Sequence, residues 1–517
     1  MASSTELLGD HDDEYYLISS RVSITETVLV SAAILQPPKV VNLSNLDRQC
    51  PLLMYLVFFY NHPTTTSSSD LWSLDSVFQS IKSGLEETLS IWYPAAGRLS
   101  SIDDDVLKSN VVDHDESKPS LLGGLNLLCN NKGAILAKAA TVVKISELGD
   151  LSQYNHFFEN LVYRPPSPVL NDPHGDHFSK MPLVAAQVTK FGCGGYSIGI
   201  GISHSLFDGP AAYEFMSAWA SNSAFKQNQN IMDDEVQPKP VVVVHDRDTL
   251  LMMMAENYSS EDDDPGVITC RPAAAIHHLY QLIMQSAATD HALMIKTSDY
   301  VHKTFHLSGA FINCLKKQLV GDHFSCSSFE LVAAHLWKAK TMALGLSKET
   351  MVCLQFAVDA RNKVVPPLPQ GFTGNAYVLA SIALTASQLV DQSDHKAIVD
   401  KIREAKKSVT NKYVKSYMEA VAAGGSQQTS LPPLKELTLV SDWTRMPFHK
   451  VGFLRQQQEE AEAATAAAAY ASPLVSPVPE VVYFMQNPKD DKGIDLRIGL
   501  LPQDLNAFTR YFLANPN

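Results

Sequence analysis

His204 and Asp208 stand four residues apart in the stretch 199–210, which reads Gly-Ile-Gly-Ile-Ser-His-Ser-Leu-Phe-Asp-Gly-Pro. An imidazole titrates near neutrality and can take a proton from a hydroxyl or amine as that atom attacks an electrophile. A histidine held at the end of a strand, with an acid close behind it, therefore suits a general base. The chain holds 17 histidines, and at ordinary Asp frequency roughly one His-x-x-x-Asp arises by accident. The pair is also open to a plainer reading, a buried imidazole bonded to a backbone carbonyl with Asp208 capping the helix that follows.

The flanking elements fit a positioned side chain. Residues 196–202 alternate small and β-branched types, as a buried strand does. Pro210 falls in the first turn of a helix over 210–224, and Gly209 lets the backbone turn closely before it. A strand over 182–191 and the tight turn 192–195 make a hairpin with 196–202. Residues 53–60, Leu-Met-Tyr-Leu-Val-Phe-Phe-Tyr, are continuously apolar and predict a strand buried on both faces. Apolar residues recur at helical spacing from Leu74 to Leu89, and Pro94 and Gly97 end that helix. Short strands are predicted over 22–30 and 39–43.

The second half shows its own mixed pattern. Strands are predicted over 300–307, 352–360, 376–384, 436–440, 480–486 and 495–500, with helices over 308–319, 327–344, 387–423 and 502–513. The order is not a strict strand–helix alternation, so each half reads as α+β layers. Two such domains leave a groove between them, a common place for ligands. The expected division is a disordered N-terminus over 1–20, a first domain over 21–225, a crossover linker with an acidic loop over 226–266, and a second domain over 267–517.

Length and composition agree with two domains. The chain has 517 residues, 45% hydrophobic and 19% charged, beyond what one core usually serves. A net charge of -14 repels a phosphate backbone and argues against a nucleic-acid partner. The seven cysteines are widely spaced with no Cys-x-x-Cys, which predicts reduced thiols, no metal site and a cytoplasmic location. The first residues are acidic, unlike a secretory signal, and no apolar run reaches the roughly 18 residues of a membrane span.

Several separated segments resemble the plant BAHD family of acyl-CoA-dependent acyltransferases, the HXXXD-type acyltransferases. They are Trp92-Tyr93-Pro94-Ala95-Ala96-Gly97-Arg98-Leu99, the turn from Gln187 to Gly195, His204-Ser205-Leu206-Phe207-Asp208-Gly209, and Val358-Asp359-Ala360-Arg361. Pro366 to Asn375 and Ser441-Asp442-Trp443-Thr444-Arg445-Met446-Pro447-Phe448 complete the set. They fall in family order over nearly the whole chain. The resemblance implies two chloramphenicol-acetyltransferase-like domains with a channel between them, acyl-CoA as co-substrate with no bound cofactor, and a monomer.

The resemblance also implies an enzyme that moves an acyl group, hydroxycinnamoyl or aliphatic, from CoA to a hydroxyl or amine of a plant specialised metabolite. His204 would be the general base. Trp443 would lie near the reacting centre, where its indole N–H could hold the oxyanion, though a core tryptophan fits equally. Asp208 and Arg361 would be structural, Asp208 pairing with an arginine to position the loop. Direct attack needs no covalent intermediate, so Ser203 and Ser205 are read as helix-start residues. Only Lys435, and no arginine, lies between Gly424 and Thr438, which disfavours a shikimate acceptor.

The chain departs from the family at Gly452-Phe453-Leu454-Arg455-Gln456, where the family carries Asp-Phe-Gly-Trp-Gly and only the Phe is kept. A Gln/Glu/Ala-rich run follows over 457–470. Loss of the acid would leave Arg361 in need of another partner. The departure also admits a second function, a non-catalytic relative acting as a partner of lipid-elongating enzymes.

Overall fold

The structure is a computed structural model that describes residues 22–62, 72–101, 125–166, 180–224, 242–255, 300–321, 323–422, 436–454, 468–474 and 481–514. The expected N-terminal disorder over 1–20, residues 226–241 and 256–266 of the expected crossover linker and acidic loop, and most of the 457–470 run lie outside the described residues.

In chain order the first half forms β1 (Val22–Val30), β2 (Lys39–Val41), α1 (Asn45–Arg48), β3 (Leu53–Tyr60), α2 (Leu74–Ile91), β4 (Arg98–Ser101), β5 (Leu125–Cys129), β6 (Ala134–Thr141), β7 (Val184–Lys190), β8 (Tyr196–Ser203) and α3 (Gly209–Ala224). The second half forms α4 (Asp248–Ala255), β9 (Val301–Leu307), α5 (Gly309–Leu319), α6 (Ser328–Ala343), β10 (Met351–Asp359), β11 (Tyr377–Thr385), α7 (Ala386–Val390), α8 (His395–Ser408) and α9 (Asn411–Ala422). It ends with β12 (Leu437–Asp442), β13 (Tyr470–Pro473), β14 (Val481–Asn487), β15 (Asp490–Leu500) and α10 (Pro502–Leu513).

Among the described residues each half carries a six-stranded sheet, ordered β1-β6-β7-β8-β3-β13 in the first lobe and β11-β10-β12-β14-β15-β9 in the second. The predicted hairpin forms: β7 and β8 pair antiparallel, Val184 opposite Ile202. β3 lies beside β8, Leu53 opposite Ser203, and its residues from Tyr55 to Tyr60 are buried. One face of this sheet packs on α2 and α3 through Phe78, Ile81, Leu85, Phe215 and Trp219. The other face meets the short helical turn His156–Leu161 through Phe157, Phe158 and Leu161. Gly199 admits that turn, because a Cβ there would lie 2.0 Å from the Leu161 carbonyl oxygen.

Three expectations change. First, β13 belongs by sequence to the second half but pairs antiparallel with β3, Tyr470 opposite Phe59. The preceding Phe448, Val451, Phe453 and Leu454 join the first lobe's core. The 267–517 boundary therefore does not hold for this segment, because β3 offers an unpaired edge and its apolar neighbours accept those side chains. Second, residues 242–255, placed in the expected linker, bridge Val244 to Phe372 and form α4, whose Leu250 and Met253 are buried in the second core. Third, the tract 387–423 is three helices rather than one. Thr385 and Gln388 make a capping box for α7, Asp394 caps α8 through the Ala397 N–H, and Val409 leaves the helical region at ψ 92° before α9.

Candidate active site

His204 follows the last residue of β8. Its N–H donates to the Leu52 carbonyl (2.8 Å), and the Ser203 N–H donates to Leu183 (2.8 Å), so strand pairing fixes the backbone up to the ring. The chain then folds into a turn in which Leu206 and Phe207 point into the core, Phe207 stacking on Phe215 at 4.9 Å. This sends the imidazole the opposite way, toward the second lobe. There it meets Asn375, whose Oδ1 lies 3.2 Å from Nδ1, and the Tyr377 ring, 5.5 Å away between centroids. The ring thus sits where the two lobes meet and is only partly buried. Desolvation lowers its pKa below the ordinary 6.5, opposed by its own backbone, the Asp208 charge and Asn375.

Asp208 does not touch the imidazole. Its Oδ1 caps α3 by accepting from the Ala211 N–H (3.1 Å), and its Oδ2 accepts from the Ala376 N–H of the second lobe (3.0 Å). Arg361 then grips both oxygens, at 2.8 and 2.9 Å. One carboxylate thus both caps α3 and pairs with Arg361. Arg361 needs no acid from the 452–456 segment. Phe453 in that segment is a core residue, edge-on to Phe58 at 5.6 Å and to Trp219 at 5.2 Å.

Gly209 holds a close approach rather than an unusual turn. A Cβ there would lie 2.8 Å from the Met446 thioether. Ser205 Oγ is buried with no hydrogen-bond partner among the described residues, so no base activates it.

Trp443 finds its partners within its own segment and on β14. Its indole N–H donates to Ser441 Oγ at 2.9 Å, and its ring packs on Phe448 and Tyr483, both at 5.1 Å. No hydrogen bond or ring contact joins it to His204 among the described residues. A single donor already used within its own loop is not free for an oxyanion.

Residues that the sequence reading did not single out complete the site. The Asn375 N–H and Nδ2 both face Asp47 Oδ1, at 2.9 and 3.3 Å, and Nδ2 also donates to the His204 carbonyl at 2.7 Å. Asp47 is fully buried. Its Oδ2 accepts from the Ser44 N–H (3.0 Å), the Ser44 hydroxyl (2.6 Å) and Arg247 Nε (3.4 Å). The one signal in the sequence was Ser44-x-x-Asp47, a capping-box spacing that points to a short helix and nothing more.

A cavity of about 360 Å³ opens beside the Asp208–Arg361 pair, lined among others by Trp92, Glu214, Arg361, Gln370 and Phe372. Among the described residues no cluster of His, Cys, Asp or Glu could hold a metal ion. None of the described helices is long and apolar enough to cross a membrane.

Solved structures share this two-lobed acyltransferase fold. Vinorine synthase superposes with a TM-score of 0.63 at 16% identity, over 95% of this chain and 98% of its own. Residues 20–514 match the model of the Transferase family. The brassinosteroid-related acyltransferase 1 of Arabidopsis thaliana is 52% identical over 92% of this chain and 94% of its own. The omega-hydroxypalmitate O-feruloyl transferase of the same plant is 26% identical over 91% of this chain and 88% of its own. The chain belongs to the Transferase family of plant BAHD acyltransferases. It is accordingly an acyltransferase of the class that moves groups other than amino-acyl groups.

Proposed function

We propose that the chain transfers an acyl group, hydroxycinnamoyl or aliphatic, from acyl-CoA to a hydroxyl or amine of a small plant metabolite, with His204 as general base. The observation that carries this is the ring's position at the lobe boundary, with Nδ1 engaged by Asn375. That leaves Nε2 as the ring's proton acceptor. The acceptor O–H or N–H gives its proton to Nε2 as its oxygen or nitrogen attacks the thioester carbonyl carbon. The tetrahedral oxyanion collapses, the C–S bond breaks, and the imidazolium returns the proton to the departing thiolate. The products are an ester or amide and free CoA.

Donor and acceptor would reach the ring from opposite mouths of a channel between the lobes. Asp208, Gly209 and Arg361 hold the loop that carries it. The name of the 52% identical relative puts steroid alcohols first among acceptors to test. Fatty and benzyl alcohols follow, from the names of a fatty alcohol:caffeoyl-CoA acyltransferase and a benzyl alcohol O-benzoyltransferase at 25% and 26% identity.

The test is free-thiol release with a panel of acyl-CoAs and acceptors. His204→Ala should lower the rate by about 10²–10⁴ with an unchanged circular dichroism spectrum. Equal rates in variant and wild type would overturn the base assignment. No release by either, with any pair, would favour the non-catalytic partner role.

A further inference from the structure

We infer that Asp47 is a positioning residue that sets the tautomer of His204 by fixing the side-chain amide of Asn375. This deepens the general-base reading and rests on it. An asparagine amide can face either way, and its neighbours decide which end carries the donors. Asn375 Nδ2 faces two groups that only accept, the His204 carbonyl at 2.7 Å and Asp47 Oδ1 at 3.3 Å. A flipped amide would set its oxygen against both. With the nitrogen held there, Oδ1 faces His204 Nδ1 at 3.2 Å, and an oxygen at that place requires the proton to be on Nδ1. Nε2 then keeps its lone pair for the acceptor.

Asp47 is built to hold this orientation. It reaches Asn375, 328 residues away in sequence, from α1, which belongs to the first half by sequence but buries Leu46 in the second lobe's core. Its second oxygen is aimed by the Ser44 N–H and hydroxyl and by Arg247, whose side chain is 1% exposed. The carboxylate also faces the nitrogen end of the amide, whose oxygen end faces the ring. A negative charge there polarises the amide so that its oxygen better supports the imidazolium formed as the proton is taken. Four segments of the chain, at Ser44–Asp47, His204, Arg247 and Asn375, therefore set one tautomer. The base becomes competent only when the two lobes are docked.

The test reads tautomer and turnover separately. Asp47→Asn removes the carboxylate but leaves Arg247 buried without its counter-charge, so the double variant Asp47→Asn/Arg247→Gln is measured beside it. Ser44→Ala, which keeps both charges and loses the 2.6 Å bond that aims Oδ2 together with the cap on the Asp47 N–H (3.3 Å), serves if neither folds. Nitrogen NMR of histidine-labelled protein above pH 8, with the His204 signal assigned from His204→Ala, reports which ring nitrogen is protonated. The wild type should show Nδ1–H alone. The Asp47 variants should show a fraction of Nε2–H, with kcat down about tenfold, a part of the whole general-base contribution, and KM unchanged within about twofold. Ser44→Ala should show a smaller change of the same sign.

A folded variant with an unaltered tautomer signal and unaltered kcat overturns the proposal. Because the tautomer is read without substrate, the two ideas fail separately. A shifted tautomer alongside a fully active His204→Ala would remove the base reading and leave the role of Asp47 as the tautomer-setting residue. An inactive His204→Ala alongside an unshifted tautomer would remove only the Asp47 proposal.

Discussion

Arg361 reaches across the lobe boundary to Asp208 with both terminal nitrogens, Nη1 to Oδ2 at 2.8 Å and Nη2 to Oδ1 at 2.9 Å. The pair is nearly dry, with side-chain exposures of 18% and 3%. The same carboxylate also takes the N–H groups of Ala211 and Ala376. Breaking a buried pair from one side costs more than the pair contributes, because the remaining charge has no counterpart.

Asp208→Ala should therefore lower unfolding stability by about 3–5 kcal/mol and lower activity through the loop that carries His204. The double variant Asp208→Ala/Arg361→Ala should lose clearly less than the sum of the two single changes. Denaturant unfolding of the four proteins checks this. Additive losses, or an Asp208→Ala protein as stable as wild type, would contradict the positioning role.

The reach of the sequence can be judged on particular residues. The strand–turn–helix that presents His204 was legible, because β8 alternates small and β-branched residues and Pro210 opens α3. The acid behind the base was not legible, because Asp47 and His204 are joined only through Asn375, and that contact exists once the lobes dock. β6 was missed because Ala-Ile-Leu-Ala-Lys-Ala-Ala-Thr favours helix locally, and pairing with β1 and β7 overrides that preference. β13 was missed because it is four residues long and its place in the sheet is set by the distant edge of β3. Trp443 lies in the segment that follows β12. Its N–H partner, Ser441, two residues earlier, could not be read from spacing.

The pH dependence of the rate follows from the desolvation of His204 at the lobe boundary. Its folded pKa is held below the ordinary 6.5, and a general base works only when unprotonated. The plot of kcat/KM against pH should rise from acid and level off, with its midpoint below 6.5 and little change from neutrality to pH 8. A midpoint above 7 would contradict a desolvated imidazole at this position.

Stability should also fall in acid, for a different set of rings. Burial lowers the pKa of His245 to about 4, of His302 to about 3 and of His395 to about 4, from an ordinary 6.5. Between those values and 6.5 the unfolded chain binds protons that the folded chain does not, so stability rises with pH in that window and is lost as pH falls through it. His302 is the ring to change, since its Nε2 is buried with no hydrogen-bond partner among the described residues. His302→Phe keeps the ring contact with Tyr154 at 5.3 Å and removes a titrating group. Its unfolding free energy should depend less steeply on pH than the wild type's between 6.5 and 3, and an unchanged slope would contradict this.

Arg497 on β15 holds the lobes together from the opposite side of the molecule's sequence. It is 1% exposed and donates to four oxygens on three segments. Nη1 reaches Ser472 Oγ (2.8 Å) and the Pro473 carbonyl (2.7 Å), Nη2 reaches the Ser152 carbonyl (2.7 Å), and Nε reaches Thr304 Oγ1 (3.2 Å). Ser152 belongs to the first lobe, and Ser472 and Pro473 to β13, the strand that crosses into the first sheet. A planar fork can serve all of these at once, whereas a lysine ammonium is a compact head with three donors on a single point. Arg497→Lys should leave at least one buried acceptor unmet and lower stability by about 1–3 kcal/mol. Hydrogen exchange should increase first in β13 and around Ser152, the segments that the guanidinium ties. An unchanged denaturation midpoint with protected β13 amides would show that sheet pairing to β3 alone holds the crossing strand.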